Sequence, residues 1–213
     1  MKSRHRLLML VLAVVVWGWL VFTPGERSSL ALGDIIYVDP DATGDETGES
    51  WIDAYGDLSF AIIEAMPGDQ IWVAEGYYKP NRLLEPDDPR SATIILKNGV
   101  AIYGGFDPDT GVVDFADRDW IANVVLISGD RLDNDQPGFV NYFDNFYHIF
   151  YHPEGLNLNS TAILDGVTIY GGSASDLLGG GGMVNLGSSP TIRTSTPGTR
   201  MTTLLQKRAM PAS

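Results

Sequence analysis

The sequence predicts an all-β chain wound as a parallel β-solenoid, covered at its start by one amphipathic α-helix. Three observations carry that expectation. Two segments are nearly the same word, Asn98-Gly-Val-Ala-Ile-Tyr-Gly-Gly105 and Asp165-Gly-Val-Thr-Ile-Tyr-Gly-Gly172, 67 residues apart (165 − 98); internal repetition of this kind signals a stacked architecture. Short apolar runs recur as well: Gln70–Ala74, Thr93–Leu96, Asn123–Ser128, Tyr147–Tyr151 and Thr161–Leu164. They read as rungs of about 20 to 24 residues, three of which make up the repeat distance. Finally, Gly numbers 24 of 213 residues, about 11% against a usual ~7%, as expected of a chain that turns often.

Taken in order, residues 1–31 read as an export signal. Lys2, Arg4 and Arg6 precede an uncharged apolar run of 16 residues, Leu7 to Phe22; Pro24 follows, and Ser29-Leu30-Ala31 offers small residues at a cleavage site. Sixteen residues fall short of the ~20 that span hydrocarbon, which favours a cleaved signal over an uncleaved anchor. Residues 32–68 read as an N-terminal cap. Ser50 is the expected N-cap of a helix, with Trp51, Ala54, Tyr55, Leu58, Ala61, Ile62 and Ala65 at helical spacing and Met66-Pro67-Gly68 as its stop. A solenoid leaves its first rung open, and such a helix suits as a cover.

Residues 69–192 read as the rungs. Within the repeated word, Val100 and Ile102, like Val167 and Ile169, are expected to point inward; Ala101 and Tyr103, like Thr168 and Tyr170, outward. An antiparallel sandwich is the competing arrangement, but Asn-Gly hairpin turns between adjacent strands are scarce. Residues 193–213 are a different kind of sequence. From Asp34 to Asp176 there are 26 acids and 6 bases, a net of 6 − 26 = −20; after Asp176 there is no acid and there are four bases. The tail reads as a frameshifted or prematurely ended continuation of a longer gene, with a natural basic C-terminus as the alternative.

Composition excludes several classes. The net charge of −13 leaves no basic footprint for nucleic acid and disfavours binding to anionic membranes. Cysteine is absent, so disulfide scaffolds, thiolate zinc sites and cysteine nucleophiles are ruled out.

The run Ile36-Tyr-Val-Asp39, with Gly48-Glu-Ser-Trp51, Asp53-Ala-Tyr55, Leu58, Pro67-Gly-Asp-Gln-Ile-Trp-Val-Ala74 and Gly76-Tyr-Tyr-Lys-Pro80, resembles the opening of secreted bacterial right-handed parallel β-helix proteins of the pectin-lyase-like type. Asn98–Phe106 and Leu126-Ile-Ser-Gly-Asp130 continue it. Leu164–Gly172, Gly180-Gly-Gly-Met-Val-Asn185 and Ser188-Ser-Pro-Thr-Ile192 are similar to the repeats of polymorphic outer-membrane proteins. The resemblance covers roughly residues 35–192. It implies the fold and a secreted, extracellular or envelope location; it says little about activity, since that superfamily holds lyases, hydrolases, adhesins and structural passengers.

The densest polar cluster is Asp130, Asp133, Asn134 and Asp135 after the Val124–Ile127 run. Oxygen ligands at alternating positions suit calcium, and Asp130, Asp133 and Asp135 are the candidate ligands, against the alternative of a solvated acidic turn. Asp39, Asp41, Asp45 and Glu46 form a second acidic loop; Asp107 and Asp109 read as turn formers around Pro108. His148 and His152 lie four apart, on one side of an extended segment, with no third metal ligand in view. Trp72, Tyr103 and Tyr170 are the candidate carbohydrate-binding rings, expected to share one outer face and stack against sugars. The Asn-Thr-Asp, Gly-Asp-Asp and Ser-His-Gly motifs of the resembled hydrolases are absent; its lyases use calcium-binding acids with a basic residue, a role for which no motif selects Arg118 or Arg131. No catalytic residue is assigned. The expectation is a non-catalytic exported protein that binds polysaccharide or cell-surface glycan; the alternative is the N-terminal part of a polysaccharide lyase or glycoside hydrolase.

Overall fold

The computed structural model describes residues 33–174 and 179–193; the expected signal at 1–31 and the tail from 194 lie outside the described residues. Twelve strands and one α-helix are found among them. The strands are β1 (Ile35–Val38), β2 (Gln70–Ala74), β3 (Gly76–Tyr78), β4 (Arg82–Leu83), β5 (Ala92–Thr93), β6 (Ala101–Phe106), β7 (Val125–Ser128), β8 (Phe150–His152), β9 (Ile163–Asp165), β10 (Val167–Tyr170), β11 (Met183–Asn185) and β12 (Thr191–Arg193). The helix, α1, is Leu58–Glu64.

Parallel pairing dominates. β1, β2, β6, β9 and β12 form a five-stranded sheet in that order, each pair parallel. β3, β7 and β10 form a second parallel sheet. β8 and β11 form a third, extended by a parallel bridge from Ile94 to Phe150. Only the short β4–β5 ladder and two isolated bridges are antiparallel among the described residues, so the sandwich alternative is set aside. The chain visits the three sheets in a fixed rotation: β2, β3, Ile94; then β6, β7, β8; then β9, β10, β11; then β12.

The rung length differs from the expectation. Strands of the five-stranded sheet begin at residues 35, 70, 101, 163 and 191, so one return takes between 28 (191 − 163) and 62 (163 − 101) residues rather than 20 to 24. A return holds up to four short strands plus loop excursions, whereas the spacing of the apolar runs counts one strand per turn. The repeated word also falls on two sheets: Ala101–Phe106 is in the five-stranded sheet, Val167–Tyr170 in the three-stranded one. The word encodes a strand and the corner after it, and the fold uses it on either face.

Alternation of side chains builds the interior as expected. Register aligns Ile36, Ile71, Ile102, Leu164 and Ile192 in one column across the five-stranded sheet; Ile71, Ile102 and Leu164 are buried in the core with Val100, Val125, Ile127 and Phe150. Corners permit such flat stacking only where backbones touch. A Cβ on Gly104 would lie 2.4 Å from the Gly166 carbonyl oxygen, and one on Gly129 would lie 2.6 Å from the Gly171 carbonyl. Both contacts join one pass of the chain to the next, and only glycine fits.

The helix starts seven residues later than predicted. Asp57, not Ser50, is its N-cap, accepting from the Phe60 N–H at 2.9 Å. Residues 51–56 are engaged elsewhere: Tyr55 exchanges main-chain hydrogen bonds with the β1 edge, and Ser50 Oγ donates to Asp53 at 2.8 Å. The stop is where expected, and Lys97 Nζ donates to the Ile63 and Ala65 carbonyls at the helix end. Leu58, Ala61, Ile62 and Ala65 join the core cluster, so the helix packs its apolar stripe on the sheet beside β1 and β2.

Gly104→Ala is expected to lower unfolding free energy by about 1–3 kcal/mol in urea titrations, as overpacking against backbone does. Gly56→Ala, whose added Cβ meets nothing nearer than 3.9 Å, is expected to change it by less than about 0.5 kcal/mol; equal effects would mean the Gly104 contact does not constrain the fold.

Candidate functional site

The outer face of the five-stranded sheet carries a second column. Register places Tyr37, Trp72, Tyr103, Asp165 and Arg193 side by side. A bulge at Gly105, between the Val73–Gly104 and Ala74–Phe106 pairs, turns Phe106 to this side, where it stacks on Trp72 at 4.7 Å and 9°. The 107–124 excursion then folds back over the column. Phe115 packs on Trp72 at 5.7 Å and edge-on against Tyr103 at 4.9 Å. Arg118 lies against the Tyr103, Phe115 and Trp120 rings at 4.7–5.1 Å. Its guanidinium pairs with Asp165 at 3.1 Å, both side chains 10% exposed, and also donates to the Gly104 carbonyl.

Trp72, Tyr103 and Tyr170 therefore do not form one stacking face. Trp72 is buried, Tyr103 is partly covered, and Tyr170 lies in the three-stranded sheet. Alternation correctly sends Trp72 and Tyr103 outward; it is blind to a loop that returns to cover them.

The most exposed rings among the described residues sit instead on the 129–146 loop and on β10. Phe139 is 81% exposed, Phe143 74% and Tyr170 50%. Phe139 meets Tyr142 edge-on at 5.2 Å, Tyr142 meets Tyr170 at 6.3 Å, and the two tyrosine hydroxyls hydrogen-bond. Burial and the neighbouring Tyr170 push the Tyr142 hydroxyl well above the usual phenol range, with Asp135 and Asp130 adding to the effect. Phe139, Tyr142 and Phe143 carry no periodic signal in the sequence; they are loop residues, and Phe139 and Tyr142 gain their place through the contact of Tyr142 with Tyr170.

The same loop carries the acidic cluster, with Asp130 and Asp135 near Tyr142. Asp130 accepts from the N–H groups of Asn134 at 3.1 Å and Asp135 at 2.9 Å. Asn134 Nδ2 donates to Asp144 Oδ2 at 2.9 Å, and Asn145 Nδ2 donates to Asp135 Oδ2 at 2.8 Å. Asp133 leaves this group: at φ +55° its carboxylate turns to Lys79 at 2.7 Å and the Tyr77 hydroxyl at 2.9 Å. The Lys79 hydrogen bond holds Asp133 below the usual carboxylate range, and burial first, then its bond to Asp133, pushes Tyr77 up to about 12. Asp130, Asp133 and Asp135 are thus not brought together as three ligands, and among the described residues no three His, Asp or Glu side chains group as a metal site. The separation comes from the lysine on the neighbouring loop, which sequence spacing could not reveal.

The other candidates are structural. Asp107 accepts from the Asp109 and Thr110 N–H groups at 3.1 Å, the turn expected around Pro108. Asp39 accepts from the Asp41 N–H at 2.9 Å, and Asp53 receives the Asp45 N–H at 3.0 Å; burial raises the Asp39 carboxyl above its ordinary value. His148 Nδ1 contacts the Gly180 carbonyl at 3.1 Å. His152, fully buried, accepts the Leu96 N–H on Nε2 at 3.2 Å, so Nδ1 carries the proton toward Asn185 Oδ1 at 2.5 Å. The two histidines serve separate partners rather than a shared metal. Arg131 Nε donates to the Asp144 carbonyl at 3.1 Å.

Comparison with protein-family models, curated proteins and solved structures finds no significant match.

Two outcomes follow from this geometry. Asp165→Ala or Arg118→Ala alone leaves one charge buried without its partner and is expected to cost about 3–5 kcal/mol, whereas the double replacement Arg118→Met/Asp165→Leu costs far less; denaturant titrations of the three variants check this. His152 supplies a pH dependence. Burial holds its imidazole below the ordinary 6.5, so the folded chain takes up that proton less readily than the unfolded one. Its contribution is full above about pH 6.5 and is lost as pH falls through the lower folded value. Stability measured from pH 8 to 5 is expected to decline more steeply below 6.5 in the wild type than in His152→Gln.

Proposed function

We propose that the chain is a right-handed parallel β-helix of the secreted pectin-lyase-like type and acts outside the cytoplasm as a non-catalytic binder of polysaccharide or cell-surface glycan. The helical reading is supported by the fixed rotation through three parallel sheets, and the hand by the near-universal right-handed crossover between parallel strands. Export rests on the basic, apolar and small-residue sequence of residues 1–31.

The observation that carries the binding role is the run of ring contacts Phe139–Tyr142–Tyr170, with Phe139 and its loop neighbour Phe143 strongly exposed. Monomeric surfaces seldom leave contiguous aromatic area open without a use. Rings held edge to edge offer faces for sugar C–H groups. Of the three rings first expected to bind sugar, Tyr170 is the one available for it; Trp72 and Tyr103 serve packing. The acidic surface selects neutral or cationic glycans over polyanions.

A glycan array probed with the full chain tests this. Phe139→Ala is expected to weaken binding about 2- to 10-fold while leaving the denaturation midpoint unchanged, because its ring is 81% exposed; Tyr170→Ala is expected to weaken binding as much and to lower the midpoint slightly, because it removes the hydroxyl partner of Tyr142. Release of reducing ends or unsaturated uronates from any array glycan would overturn the non-catalytic reading, and silence across the array would overturn the glycan reading.

A further inference from the structure

Six buried side-chain polar atoms lack a partner among the described residues, and four of them fall between residues 134 and 145: Asn134 Oδ1, Asp135 Oδ1, Asp144 Oδ1 and Asn145 Oδ1. All four are acceptors, and they belong to one hydrogen-bonded group. Asn134 is tied to Asp144 and Asn145 to Asp135 through their amide nitrogens, which fixes the amide orientations and leaves each oxygen to seek something else. Asn145 is fully buried and Asp144 is 9% exposed. A buried acceptor with no donor is costly, and four in twelve residues is far above the usual scatter.

Charge adds to the problem. Asp130, Asp135 and Asp144 interact electrostatically, and none has a cationic side chain within ion-pair distance; the two ion pairs among the described residues are Lys79–Asp133 and Arg118–Asp165. Two arginines do approach. Arg131 donates to the Asp144 main-chain carbonyl, and Arg90 to that of Asn145. Both thus serve backbone oxygens and leave the carboxylates unpaired. Two of these carboxylates, Asp130 and Asp144, are buried, and carboxylates held together there without a counter-charge are unfavourable.

We propose that the 129–146 loop is a binding site for a hard divalent cation, of which calcium is the best fit, with the free oxygens of Asp135, Asp144, Asn134 and Asn145 as ligands. The donor set is all oxygen, carboxylate and amide together, which calcium accepts in variable number at 2.3–2.6 Å. Magnesium prefers a stricter octahedron and retains its waters, and zinc prefers nitrogen and sulfur. The set differs from the trio expected from spacing: Asp133 faces Lys79 instead, Asp130 is occupied by two main-chain N–H groups, and two amide oxygens take the remaining places. The inference stands apart from glycan binding, since it concerns the loop's own unpaired oxygens.

The full chain, stripped with chelator, is titrated with calcium chloride while amide and side-chain NH2 resonances are followed by NMR. Saturable shifts centred on Asn134 and Asn145, with a dissociation constant at or below about 1 mM, are expected, together with a raised melting temperature. Asp144→Asn and Asp135→Asn each are expected to weaken calcium binding about tenfold or more and to stay folded, since each removes an unpaired charge; Asp133→Asn is expected to leave it unchanged. Magnesium at the same concentration is expected to give a smaller response. Absence of saturable shifts up to about 10 mM calcium, unchanged binding in both Asp144→Asn and Asp135→Asn, or loss of binding in Asp133→Asn would each overturn the site. Glycan binding that persists in chelator leaves the proposed function intact whatever the outcome here.

Discussion

The close approach of backbone to backbone at the corners governs this chain. Parallel strands pair in register only if each pass lies flat on the one before, and at the corners that means a separation with no room for a Cβ. Gly104 against Gly166, Gly129 against Gly171 and Gly172 against Gly181 are such contacts, each a main-chain approach between passes. Once these are set, register follows, and with it the columns. An inward column of Ile36, Ile71, Ile102, Leu164 and Ile192 and an outward one of Tyr37, Trp72, Tyr103, Asp165 and Arg193 are two consequences of the same alignment. Burial then supplies the free energy, at roughly 25 cal/mol per Å² of apolar surface, but the glycines decide which side chains meet.

A frame of this kind leaves its excursions to differ. The 107–124 excursion returns to the sheet and spends its aromatic and cationic residues on cover: Phe115 and Arg118 close over Trp72 and Tyr103, and Asp165 neutralises the arginine. The 129–146 loop does the reverse. It buries Asp130, Asp144 and Asn145 and turns Phe139 and Phe143 out. Inverting the usual distribution of polar and apolar groups costs stability, and a loop that does so on a rigid support is where binding is expected to concentrate.

What was legible in the sequence divides along the same line. Inward alternation at Val100, Ile102 and Val167 is a local property of a pleated strand and was read correctly. The helix stop was legible because Pro67-Gly68 acts locally; its start was misread because Trp51, Ala54 and Tyr55 sit at helical spacing while Tyr55 pairs with the edge of β1, a partner almost twenty residues away. The repeated word was read as a period because its two copies match, yet they lie on different sheets. Nothing in eight residues says which face they will take; that depends on the length of the excursions between them. Asp133 fails as a ligand for the same reason, since Lys79 arrives from a loop 54 residues earlier. Long-range partners override spacing wherever side chains leave the column.

One polar pair inside the columns bears on how the passes find their order. A stack of aliphatic side chains is nearly degenerate, because an isoleucine column accepts almost any neighbour above it. His152 and Asn185 break that degeneracy. They are register partners on β8 and β11, and the imidazole also accepts the Leu96 N–H, so three successive passes of the third sheet are joined by directional bonds. Shifting any one of the three would leave a buried imidazole and a buried amide without partners, a penalty larger than the small differences among aliphatic contacts. The pair contributes little net stability in the correct arrangement and a great deal against incorrect ones. In a chain whose repeated words fit more than one face, that asymmetry is what makes a single stacking order the favoured one.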